Sequence, residues 1–217
     1  MGITAKIAAT FFIAAVAAGA LFIRHREAGF RLYYGQDYIN ARLNLEPMAE
    51  KGDRLAAYFL GQIYLLGLKT GKDGSLAKKW FLMSARKGLV DGAVMYLNTE
   101  LLEKVSSPDK CSSITELLST AARAKNIDAI LSLGEYYAKG TCGRKDMVKS
   151  AYHYALARNM DKIYGRLSES AANQLSPNGK SQLNELVKIP LRPISEQQFL
   201  GAFLSRIDGP GENQSDR

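Results

Sequence analysis

Lys69-Thr70-Gly71 and Ser84-Ala85-Arg86-Lys87 bring together the residue types of an acyl-transfer site, a serine with a lysine three positions on and a Lys-Thr-Gly segment. Their order argues against that chemistry. In penicillin-recognising enzymes the Ser-x-x-Lys box comes first and Lys-Thr-Gly lies on a strand, whereas here Lys-Thr-Gly precedes and falls between two helical stretches. Ser75-Leu76-Ala77-Lys78 and Ser107-Pro108-Asp109-Lys110 fit the same loose pattern, so a lysine-rich chain generates it readily. Asn178-Gly179-Lys180-Ser181 has the end of a phosphate loop, but Gln174 stands where its first glycine belongs and no strand precedes it. His25 and His153 are the two histidines, too few for a His-based metal site or triad, and His153 reads as a packing residue. The expectation is a protein that is not an enzyme, with no catalytic residue, metal site or cofactor.

A recurring spacing is more informative than any of these groups. Leu60-Gly61-Gln62-Ile63-Tyr64, Leu97-Asn98-Thr99-Glu100-Leu101 and Leu133-Gly134-Glu135-Tyr136-Tyr137 align at intervals of 37 and 36 residues, with Ala56, Ala93 and Ala129 or Ile130 in matching columns. Ala77, Trp80, Ala85 and Gly88 find counterparts one period later at Ile114, Leu117, Ala122 and Lys125. Ala41, Ala49 and Gly52 stand one period earlier, so the array begins with half a unit. Gly140 and Asp146 match Gly67 and Asp73, and the counterpart of Trp80 in the third unit is either His153 or Tyr154. A fixed period of this length predicts an all-α solenoid of stacked helix hairpins.

Within Leu55 to Leu66, Ala56, Leu60, Ile63 and Tyr64 recur at three and four residues and make one apolar stripe on a helix. Gly67 and Gly140 stand where a left-handed residue closes the first helix of a unit, and Asp73 and Asp146 where a short acceptor caps the second. Ala56, Gly61, Ala77 and Ala85 present little bulk, which lets the axes of a hairpin close to ~8–10 Å. Trp80 and Tyr64 are expected to fill the space between hairpins. One hairpin cannot bury both its faces, so each unit needs a neighbour.

The pattern Gly52-Asp53, Ala56-xxx-Leu60-Gly61-xx-Tyr64-xx-Gly67, then Asp73-xxx-Ala77-xx-Trp80-xxxx-Ala85-xx-Gly88 resembles the Sel-1-like repeat, a relative of the tetratricopeptide repeat. The third unit, Leu133-Gly134-Glu135-Tyr136-Tyr137-Ala138-Lys139-Gly140, matches well in its first helix. The middle unit departs most, with Asn98 for glycine, Leu101 for tyrosine and Leu117 for tryptophan. The resemblance implies a right-handed α-solenoid over residues 27–160, and a non-catalytic adaptor or scaffold of the bacterial envelope that binds a protein or peptide. It also implies an alternative, a periplasmic immunity protein that inhibits a secretion-system phospholipase effector. By analogy with tetratricopeptide geometry, the concave face would carry Tyr58, Gln62 and Leu66 in unit one, Met95 and Thr99 in unit two, and Ser132, Glu135 and Lys139 in unit three.

Residues 1–26 are expected to be a membrane anchor or signal segment. Ile7 to Ile23 contain no charge and lie between Lys6 and Arg24-His25-Arg26, near the lower limit of the ~17–25 residues of a spanning helix. Ala18-Gly19-Ala20 offers a cleavage site, yet Leu21-Phe22-Ile23 continues the apolar run, which favours an uncleaved transmembrane helix. Flanking charges mildly favour a cytoplasmic body. Cys111, at the start of the second helix of unit two, and Cys142, in the loop of unit three, fall at the same end of adjacent units. A bond between them would contribute roughly 2–4 kcal/mol and needs an oxidising compartment, with two unpaired thiols as the alternative. The expectation is a single-pass inner-membrane protein whose body faces the periplasm.

Residues 161–207 are expected to supply capping helices, with a break at Ser176-Pro177-Asn178-Gly179 and a last amphipathic helix from Glu196 to Ile207. Residues 208–217 read as a disordered tail. The formal charge of +8 falls to 26 basic against 21 acidic residues once residues 1–26 are set aside. No basic run interleaved with stacking aromatics accompanies it, so a nucleic-acid partner is not expected.

Overall fold

Short polar side chains set where the helices begin. Asp53 accepts from the amides of Leu55 and Ala56, both at 3.0 Å. Asp73, Asn126 and Asp146 each accept from the amide three residues on, at 2.9 Å. Each satisfies a first-turn N–H that no helical carbonyl can reach, a gain of about 1 kcal/mol per cap. The structure, a computed structural model, describes residues 27–102, 107–141, 143 and 145–209. The expected anchor at residues 7–23, Cys142 and residues 210–217 lie outside the described residues. Among the described residues no helix is long and apolar enough to cross a membrane, and no strand occurs.

Two compact units divide the chain, Met1–Lys87 and Gly88–Arg217. The first holds α1 (residues 27–34), α2 (Tyr38–Glu50), α3 (Arg54–Leu66) and α4 (Gly74–Arg86). The second holds α5 (Val90–Leu102), α6 (Pro108–Arg123), α7 (Ile127–Lys139), α8 (Met147–Met160), a 3-10 turn (Lys162–Tyr164), α9 (Gly165–Asn173), α10 (Pro177–Leu186) and α11 (Glu196–Asp208).

Chain reversal uses the same device in α3/α4 and α7/α8. Gly67 (φ +67°) and Gly140 (φ +68°) adopt the left-handed conformation, and their amides close back on Ile63 and Tyr136. The loop then folds in, so that the amides of Asp73 and Asp146 donate to Tyr64 and Tyr137 at 2.9 and 3.0 Å. A Cβ at either glycine would come within 2.8 Å of a backbone nitrogen, that of Lys72 or Lys145. Space and conformation therefore both exclude a side chain. At the opposite end of the hairpins, Gly52, Gly88 and Lys125 occupy one column with φ of +91°, +87° and +62°. Lys125 takes up a glycine's conformation at a cost of about 1–2 kcal/mol.

In the first unit α3 packs between α2 and α4. The closest approach is a ring on a glycine: a Cβ at Gly61 would stand 2.5 Å from Cδ1 and Cε1 of Phe81. Phe81, Leu60, Ile63, Ala77 and Ala57 are fully buried. Fully burying a residue the size of Phe, Leu or Ile stabilises by roughly 1.5–3 kcal/mol. Trp80 is buried as expected, but the ring that lets the hairpin close belongs to its neighbour Phe81.

In the second unit the matching contact decides a register that the columns left open. A Cβ at Gly134 would stand 2.5 Å from Cε1 of Tyr154, so Tyr154 is the counterpart of Phe81 and His153 that of Trp80. The hairpin α5/α6 packs beside α7, and its departures have a chemical form. Glu100, in the column of Ile63, is buried and paired with Lys110. Asn126 ties the starts of α7 and α5, its amide donating to Asp91 at 2.7 Å.

The C-terminal helices differ from expectation in two ways. Ser176-Pro177 is a helix start instead of a break: the Ser176 hydroxyl accepts from Gly179 at 3.2 Å and Pro177 sits in the first turn, where its missing N–H costs nothing. While α9 and α10 pack on α8, α11 does not extend that cap. It returns to α5 and α6, with Phe199 and Phe203 fully buried.

Candidate functional site

On α3 the expected binding positions are largely used within the chain. Tyr33 of α1 donates its hydroxyl to Gln62 at 2.6 Å, and the Gln62 amide donates to Tyr58 at 3.0 Å. The Tyr33 ring lies 4.6 Å from that of Phe59, and Phe30 and Tyr34 approach the same ring at 5.2 and 5.8 Å. Tyr58 leans on Phe59 and Phe81. This face of α3 is therefore a seat for α1, which corrects the expectation of a free binding surface at Tyr58 and Gln62. Burial pushes the Tyr33 hydroxyl above its usual pKa, with Tyr38 and Tyr34 adding to the effect. Leu66 is 55% exposed.

On α5 the outcome also divides. Thr99 is buried and its hydroxyl donates to the Met95 carbonyl at 2.7 Å, so Thr99 is an interior residue and not a surface one. Met95 is half-buried. On α7, Ser132, Glu135 and Lys139 do share a surface. They join Asn98, Leu101, Leu102, Tyr136 and Thr141 in lining a groove of about 170 Å³ between α5 and α7.

The groove is apolar at one wall and charged at the other. Leu102 is 71% exposed, the most solvent-accessible large apolar side chain at its rim. Glu135 and Lys139 pair across one helical turn with both side chains exposed. That pairing, first through the hydrogen bond and then through charge, raises the Lys139 pKa. Ser132 spends its hydroxyl on the Asp128 carbonyl at 2.6 Å. Burial raises the Tyr136 pKa, and Tyr137 adds to it. Leu102 lies outside the repeat columns, and its signal in the sequence is the apolar pair Leu101-Leu102 that ends α5.

The residues that hinted at catalysis are placed elsewhere. Ser84 is fully buried and its hydroxyl donates to the Arg54 carbonyl at 2.7 Å, which ties α4 to the start of α3. Asn178-Gly179 lies in the first turn of α10. Cys111 is buried in the first turns of α6 and is disulfide-bonded. The arrangement as a whole offers a contact surface made of a leucine, a tyrosine and a paired charge.

The Sel1 repeat family model matches residues 54–89 and 127–162. The chain carries two Sel1 repeats. Such repeats mark a protein–protein interaction scaffold. No curated protein matches the chain. Among solved structures it is similar to a protective antigen of uropathogenic Escherichia coli strains that displays an SLR fold, at 15% identity and a TM-score of 0.37, covering 90% of this chain. The chain spans about half the length of that structure.

Where the first Sel1 repeat has Trp80, the second has His153. Both ring nitrogens, Trp80 Nε1 and His153 Nδ1, are buried without a hydrogen-bond partner. His153 stacks on Tyr137 with centroids 5.7 Å apart and planes 4° apart, and Tyr152 meets it edge-on at 5.2 Å. Burial, followed by the charge of Lys149, pushes its pKa down to about 4. Well above pH 6.5 the imidazole is neutral in folded and unfolded chains alike, and as pH falls through 6.5 toward 4 the unfolded chain takes up a proton that the folded chain refuses. Stability is therefore expected to fall by up to about 3 kcal/mol over that window through this residue. Thermal melts of wild type and His153→Phe should diverge between pH 6.5 and 4, with the wild type losing more; parallel curves would contradict the assignment.

Proposed function

We propose that the chain is a non-catalytic adaptor that grips a protein or peptide partner in the groove between α5 and α7. The single observation that carries this reading is the groove itself, a cleft with Leu102 largely exposed beside the Glu135–Lys139 pair. An exposed leucine beside a tyrosine and a matched charge pair offers a partner apolar surface to bury, with polar neighbours at the rim to set orientation. The apolar run at residues 7–23 supports tethering to a bacterial inner membrane. Cysteine chemistry favours a body in the periplasm, with Cys111 bonded to Cys142, the other cysteine of the chain. A cytoplasmic body remains the alternative that the flanking charges favour. An immunity protein would use the same groove to cover an enzyme's active site.

Two outcomes are expected. Capture of the partner from the native host by the tagged full chain should weaken about tenfold with Leu102→Glu, and also with the combined charge reversal Glu135→Lys and Lys139→Glu. Capture unchanged by both variants would move the site away from the groove. Intact-mass measurement after alkylation without reductant should show no adduct, and two adducts would remove the disulfide and, with it, the argument for the periplasm.

A further inference from the structure

The last helix is held like a ligand. Its start is set by its own residues, since the Ser195 hydroxyl accepts from the Gln198 amide at 3.1 Å and the Gln198 side chain accepts from the Ser195 amide at 2.8 Å. A complete capping box makes its N-terminus independent of the surface beneath. It hangs on a strap, residues 187–195, in which Val187, Ile189 and Leu191 are exposed and Pro190 and Pro193 prevent helix.

Contact with α5 and α6 runs along one face of the helix. Phe199 and Phe203, four residues apart, are fully buried, and Phe203 meets Tyr96 edge-on at 5.7 Å. Three residues on, Arg206 donates to Ser113 at 3.0 Å and to Glu116 at 3.1 Å. The strap is pinned where Arg123 Nε donates to the Arg192 carbonyl at 2.9 Å and the Ile194 amide donates to the Arg123 carbonyl at 3.3 Å. The remaining residues of α11 are exposed or partly so.

We propose that the α5/α6 face under α11 is a helix-binding site, occupied in cis by α11 and open to a partner protein's amphipathic helix that carries two aromatic residues four apart and a basic residue three further on. Anchors at i and i+4 on one helical face are the way a helix reads a groove, and Glu116 selects the basic group. Tethering gives α11 a millimolar-range effective concentration, so a partner helix must compete with it. This site is separate from the groove between α5 and α7.

The test uses the full chain and a fluorescein-labelled peptide of residues 195–208, followed by anisotropy. Phe199→Glu combined with Phe203→Glu expels α11 and should bind the peptide at least about tenfold more tightly than wild type. Carrying Arg206→Glu in the peptide should weaken binding about threefold, the size of an exposed ion pair, and Glu116→Arg in the opened chain should restore it. Failure of the opened chain to bind would overturn the proposal. So would loss of its helical circular dichroism or cooperative melt, because α11 would then be a fixed part of the fold.

Discussion

A ring lying on a glycine is the contact that both Sel1 repeats depend on. Phe81 over Gly61 and Tyr154 over Gly134 occupy the space where a Cβ would otherwise be, at 2.5 Å in each case. The absence of one carbon lets the second helix bring a large aromatic against the first helix's backbone, which buries the Phe81 ring fully and the Tyr154 ring in part. The same two columns in the stretch between the repeats hold Asn98 and Leu118. Where the glycine is missing the ring is missing too, and the aliphatic Leu118 is fully buried in its place. Bulk removed on one helix and bulk supplied on the other vary together within one chain, as close packing requires.

Around that contact the rest of each hairpin is punctuation. Left-handed Gly67 and Gly140 turn the chain, Asp73 and Asp146 restart it, and the loop amides return to the preceding helix. These features were legible because each rests on a property of one residue type: no Cβ, or a short acceptor beside an orphan N–H. The identity of the packing ring was not, because a tryptophan draws attention to its own column while the decisive atom is the one absent from Gly61 or Gly134. Only the geometry separates His153 from Tyr154.

Surface positions were harder to read, and for a different reason. Whether Gln62 faces solvent depends on α1, which carries no repeat signature, yet its Tyr33 hydroxyl takes the Gln62 side chain. Thr99 was drawn outward by its column, but its hydroxyl finds the Met95 carbonyl one turn back and needs no water. The destination of α11 was equally hidden, since a helix with two aromatics on one face fits many seats. Ser132, Glu135 and Lys139 line one groove, and the neighbouring first helix supplies Leu102 to it. The groove thus follows from packing one hairpin beside the next, while non-repeat segments decide which other helix faces stay open, as α1 does on α3.

The most direct measurement is a double-mutant cycle across the ring and its glycine, read by denaturant unfolding. Gly134→Ala alone should destabilise the chain by about 1–3 kcal/mol, because the new methyl meets the Tyr154 ring. In a Tyr154→Ala background, where that space is vacant, the same substitution should cost at least about 0.5 kcal/mol less. Strictly additive effects would show that the ring and the glycine do not share the space, and the account of how these hairpins close would fail with them.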